Sequence, residues 1–75
     1  MAPLRPELRQ VLLSALEKRR RDDTIEQALG REARRAGLSY ADYLEVAEAV
    51  RERARRCKAE AWESAKALSE EQQDQ

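Results

Sequence analysis

Apolar and small residues along this chain fall into periodic runs separated by short polar breaks. In the first run Leu8, Val11, Leu12, Ala15 and Leu16 advance by steps of three and four, which puts all five on one face of a helix. Pro6 suits the first helical position, where its missing N–H costs nothing. Glu7 opens this segment and Lys18, Arg19, Arg20 and Arg21 close it, an order that complements the helix macrodipole at both ends. The pattern predicts a helix over 6–21. Asp22, Asp23 and Thr24 then break it. Asp23 with Glu26, or Thr24 with Gln27, has the spacing of a capping box, which opens a second helix over 24–36. Its core face is Ile25, Ala28, Leu29, Ala33 and Ala36. Gly30 inside it weakens the helix by about 1 kcal/mol relative to Ala and leaves room for another backbone to approach. Arg34 and Arg35 fill the last turn, Gly37 is placed as the left-handed residue after it, and Leu38 folds back onto the helix end.

The third run dominates the chain. Ser39 is a cap with Asp42 three residues on, and no Gly or Pro follows. Tyr40, Tyr43, Ala47, Val50, Ala54, Cys57, Ala61, Ala65 and Leu68 recur at helical spacing, which predicts one continuous helix over 40–70, roughly 45 Å long. Neither shorter helix covers that length. The expected solution is a second copy of the chain, with Tyr43, Ala47, Val50, Ala54, Cys57, Ala61, Ala65 and Leu68 as the dimer seam. An antiparallel pairing sets the basic stretch 51–58 beside the acidic stretch 60–71 of the other copy. The expected fold is therefore all-α: a short helical hairpin followed by one long helix, three helices in a single domain over 1–71, completed by dimerisation. Residues 72–75 read as a disordered tail.

Composition reinforces that expectation. Of 75 residues thirteen are Ala, and only seventeen hydrophobic residues are larger than Ala or Cys, a thin core for a solitary monomer. Charged residues make up 40% and the net charge is zero, so no global field draws the chain onto nucleic acid or an anionic membrane. No stretch combines a basic start with an apolar run of signal length, and none approaches the ~18 apolar residues of a membrane span. A soluble, cytoplasmic protein is expected.

The residue types argue against catalysis. There is no His, and the one Cys has no second thiol or imidazole to form a zinc site or an activated nucleophile. The two Gly residues are isolated and make no phosphate loop. Glu45, Glu48 and Glu52 lie along one helical edge and read as a solvated face. The expectation is a non-enzyme with no metal and no cofactor.

Function is then left to the surface. Trp62, the only Trp, is set among charges, and with Leu13 it is the candidate anchor for a partner protein. Arg19, Arg20, Arg21, Arg31, Arg34 and Arg35 form the candidate anion or nucleic-acid patch. The run Ala33, Ala36, Gly37, Leu38, Tyr43 and Val46 resembles the spacing of a helix-turn-helix, which implies DNA binding through the helix that starts after Ser39. The first turns of that helix carry Asp42, Glu45 and Glu48, which repel phosphate. Gly37-Leu38-Ser39-Tyr40-Ala41-Asp42-Tyr43-Leu44, leading into an Arg-rich helix, is similar to the helical N-terminal segment of the helper ATPases of insertion sequences. That resemblance implies a helical docking module. The expected function is a small homodimeric protein-interaction or regulatory module, with a nucleic-acid-binding regulator using the Arg clusters as the alternative.

Overall fold

A computed structural model describes residues 4–71 of the chain. The described residues form four helices and no strands: α1 (Pro6–Glu17), α2 (Ile25–Ala36), α3 (Tyr40–Cys57) and α4 (Ala61–Glu71). The tail expected at 72–75 lies outside the described residues. Each helix packs against two neighbours in the cycle α1, α2, α3, α4, and α1 also touches α3 across the middle. One core is shared by all four. It is built from Leu8, Val11, Leu12 and Ala15 of α1, Ile25, Ala28, Leu29 and Ala33 of α2, Val46, Ala47 and Val50 of α3, and Trp62, Ala65 and Leu68 of α4. The apolar face expected for α1 is the face it buries. On α2 the expectation fails at its last residue, since Ala36 is exposed.

The start of α2 resolves the capping alternatives. The Thr24 hydroxyl accepts from the Gln27 amide at 3.2 Å, and the Gln27 side chain accepts from the Thr24 amide at 3.0 Å. Asp23 is used otherwise: its carboxylate accepts from the Arg20 amide at 3.0 Å and from Arg31 Nη2 at 2.8 Å. Gly37 closes α2 in the left-handed region at φ 75°, and the Leu38 amide reaches back to the Ala33 carbonyl at 2.9 Å. At α3 only half of the expected box forms. Ser39 Oγ accepts from the Asp42 amide at 3.2 Å, whereas the Asp42 carboxylate is taken by Arg5.

Two expectations about helix length are corrected. The first helix stops at Glu17, not at residue 21, so Lys18, Arg19, Arg20 and Arg21 form a connecting loop. The physical reason is tertiary. The loop folds over Trp62, with the Arg19 guanidinium 4.3 Å from the ring centroid and Trp62 Nε1 donating to the Asp23 carbonyl at 3.2 Å. The expected long helix over 40–70 is two helices. Lys58 adopts φ 52°, ψ 43°, the Lys58 and Ala59 amides both turn back to the Ala54 carbonyl, and α4 packs on α3 and α1. An unbroken helix from Tyr40 to Glu71 would be about 48 Å long, whereas the fold extends only 28 × 28 × 20 Å.

The break changes what the seam covers. Ala47, Val50, Ala65 and Leu68 are buried, and Tyr43, Ala54 and Ala61 half-buried, within one chain, while Cys57 is exposed at the end of α3. The surface that the sequence assigns to a second copy is thus mostly core of the first. No described helix is long and apolar enough to cross a membrane.

Candidate functional site

The leading turn of α3 leaves α2 at an angle set by Gly37 and Leu38, and a groove of about 970 Å³ opens between the two helices. One wall is aromatic. Tyr40 and Tyr43, one turn apart, stack with ring centroids 5.8 Å apart and an interplanar angle of 28°. Tyr43 is half-buried, and its hydroxyl reaches the Glu26 carbonyl at 3.5 Å. Tyr40 is 73% exposed and is the only large hydrophobic residue in that condition among the described residues. The floor is formed by Gly30 and Ala33, which bring little bulk to that face of α2. A Cβ on Gly30 would stand 3.8 Å from Tyr43 Cε1, an ordinary contact, so no steric need fixes a glycine at this position. The opposite wall carries Gln27, Arg31, Arg34 and Arg35.

These cations differ in availability. Arg31 is committed to Asp23, and each moves the other's titration: the Arg31 hydrogen bond, then the Arg20 amide, hold the Asp23 carboxyl below the usual carboxylate range, and Asp23 raises Arg31. Arg35 approaches the Glu32 carboxylate only to 3.9 Å. The Arg34 side chain forms no ion pair or hydrogen bond among the described residues. Glu32 is 4% exposed and lies within 4 Å of Lys18, Arg31 and Arg35 at once, at 3.7, 3.8 and 3.9 Å. It draws the end of α1 and the outer face of α2 together, so the two basic stretches of the sequence meet on one side of the molecule. Beyond it, Arg5 pairs with Asp42 and Glu45 at the start of α3, and the same two acids raise its pKa, Asp42 foremost.

The candidate residues from the sequence are thus divided by the fold. Arg31, Arg34 and Arg35 line the groove, and Arg20 and Arg21 stand exposed on the neighbouring loop. Arg19 instead lies over Trp62. Trp62 is not a surface anchor: it is 8% exposed and belongs to the core. Leu13 is half-buried and lines a separate shallow hollow with Gln10, Leu16 and Lys66 between α1 and α4. Tyr40 and Gly30 were not singled out as site residues by sequence. The available signal was a pair of Tyr at helical spacing directly after a cap, facing a lone glycine in the preceding helix.

Family models, curated proteins and solved structures offer no match to this chain. The site has to be read from its own chemistry. Among the described residues no group of three or more His, Cys, Asp or Glu side chains is arranged to hold a metal ion. What the groove offers is a preordered aromatic face, a small-residue floor and guanidinium groups on one rim.

Proposed function

We propose that this chain is a non-enzymatic interaction module whose binding face is the groove between α2 and α3, and that the occupant is an acidic segment of another protein bearing an aromatic or aliphatic anchor. The observation that carries the reading is Tyr40: a large ring 73% exposed, already stacked on Tyr43, beside an Arg34 that has no partner among the described residues. Exposed aromatic and Arg side chains are the types that dominate binding energy at protein interfaces, and a ring held in place by its neighbour loses little entropy on binding. The anchor would lie against the tyrosine wall over Gly30, with acidic groups facing Arg34 and Arg35. A cytoplasmic setting belongs to the same proposal, supported by the exposed, unpaired thiol of Cys57.

A capture experiment from source lysate with tagged full-length chain, with and without nuclease, tests this. A protein retained after nuclease treatment and lost with Tyr40→Ala or Arg34→Glu supports the reading. Truncating such a ring should weaken binding by roughly thirty-fold, about 2 kcal/mol, while leaving stability within about 0.5 kcal/mol of wild type, since Tyr40 lies outside the core. The same protein retained by both variants removes the groove from the account.

A second reading is favoured by one feature of the same surface. The stacked tyrosines beside Arg34 and Arg35, with Arg20 and Arg21 on the adjoining loop, are also the parts of a single-stranded nucleic-acid site, in which bases stack on rings and phosphates meet cations. Nucleic acid retained in the capture, and lost steeply with added salt, would move the assignment there. Helix-turn-helix docking of α3 into a major groove is less favourable, because Glu45 and Glu48 are exposed on its leading turns.

A further inference from the structure

The turn between α3 and α4 is built differently from the turn between α2 and α3, although the two share their longest backbone hydrogen bond. In both, the amide two residues past the helix returns to a carbonyl five residues back: Leu38 to Ala33 at 2.9 Å, and Ala59 to Ala54 at 3.1 Å. At the first turn the left-handed residue is Gly37, and at the second it is Lys58, the only non-glycine residue with positive φ among the described residues. A side chain in that region is disfavoured by contact of its Cβ with the following carbonyl. Nothing else in residues 58–60 enforces a stop. Glu60, at the N-cap position of α4, is not one of the side chains that usually cap a helix.

Little has to change for the break to heal. The Lys58 amide already bonds to the Ala54 carbonyl four residues back, as in a continuous helix, and the Ser64 amide bonds to the Glu60 carbonyl at 3.0 Å in the same manner. Rotating Lys58, Ala59 and Glu60 into the helical region moves the Ala59 amide from Ala54 to Arg55. It also pairs the free carbonyls at the end of α3 with the free amides at the start of α4. The apolar row is in register across the break. At 3.6 residues per turn Val50, Ala54, Ala61, Ala65 and Leu68 fall within roughly 40° of one line.

We propose that Lys58 is a hinge and that the chain exchanges α4 with a second copy of itself. Opening without a partner would strip Trp62, Ala65 and Leu68 from the core and break the Trp62 contacts to Asp23 and Arg19. A second copy restores all of them, because its vacated site has the same shape and its own α4 fills the first. Reciprocal exchange of this kind closes with two-fold symmetry, and short strained hinges favour it. This inference is independent of the groove, which α4 does not line.

Sedimentation of the full chain from low micromolar to near-millimolar concentration, with circular dichroism to verify folding, tests it. The wild type should pass from monomer to dimer across that range. Lys58→Gly stabilises the closed turn and weakens the open helix, about thirty-fold per chain, so the dimer dissociation constant should rise on the order of a thousand-fold. Lys58→Ala keeps both the left-handed penalty and the helix preference, and it should dimerise within a few-fold of wild type. A wild type that is monomeric throughout overturns the proposal. So does a dimer that Lys58→Gly leaves intact, or one that both variants weaken alike.

Discussion

Trp62 offers the sharpest perturbation of this fold, because one residue ties α4 to the α1–α2 loop. The ring is 8% exposed, its Nε1 donates to the Asp23 carbonyl at 3.2 Å, and the Arg19 guanidinium covers one face at 4.3 Å. Burying an aromatic side chain removes about 200 Å² from water, and truncating a core Trp to Ala costs about 4 kcal/mol with the cavity included. The lost hydrogen bond contributes about 1 kcal/mol of further cost. A chain of this length has a total stability of about 4–11 kcal/mol, so Trp62→Ala should lose from about half to all of it. Trp62→Phe keeps most of the packing and a face for Arg19 but leaves the Asp23 carbonyl without its donor, a loss of about 2 kcal/mol. Urea unfolding followed by ellipticity at the helix band reads both. With a slope of about 1 kcal/mol per molar for a protein this small, the Trp62→Phe midpoint should fall by about 2 M. Arg19→Ala should cost about 0.5 kcal/mol through the cation–π contact. A Trp62→Ala midpoint within about 0.5 M of wild type would show that the ring does not carry the core, and the account of α4 would fail with it.

Two further predictions concern the site and its supports. Gly30→Ala meets only Tyr43 Cε1, at 3.8 Å, so it should raise stability by about 1 kcal/mol in thermal or urea unfolding; a loss would mean that the helix does not accept a Cβ there. Asp23 titrates below the ordinary carboxylate value because of its hydrogen bonds from Arg31 and the Arg20 amide. Its contribution is therefore full above the unfolded pKa of about 3.9 and is lost as pH falls through the native value. Asp23→Asn should be less stable than wild type at neutral pH, and its stability should fall less on acidification; parallel acid limbs for the two proteins would contradict the pairing.

The parts of the fold legible in the sequence are those set by local rules. Spacing gave the buried face of α1, the Thr24 and Gln27 box was one of two candidate caps, and Gly37 with Leu38 marked the end of α2. The break at Lys58 was not legible, since no Gly, Pro or capping residue announces it and the apolar row runs through it in phase. Reading that row as one helix then displaced Trp62. On a straight helix it lies about 100° from the row, and it looks like surface. On α4 the buried face is centred on Ala65, with Trp62 and Leu68 about 60° to either side of it, so Trp62 points to the core. The end of α1 is not legible for a related reason: the loop that replaces its last turn is held by Trp62, which lies far away in sequence. The basic residues of the site were legible as a cluster. Their division into Arg19 on Trp62, Arg31 on Asp23 and an unpartnered Arg34 depends on contacts between elements and had no local signal.

The most direct test of the central claim is amide chemical-shift mapping of the full chain during titration with a short synthetic acidic peptide carrying a central tryptophan. Binding in the groove predicts shifts concentrated on Gln27, Gly30, Arg34, Leu38, Tyr40 and Tyr43, abolished by Tyr40→Ala. Shifts confined to the 18–21 loop or to α4, or unchanged in that variant, would contradict the assignment of the α2–α3 groove as the binding face.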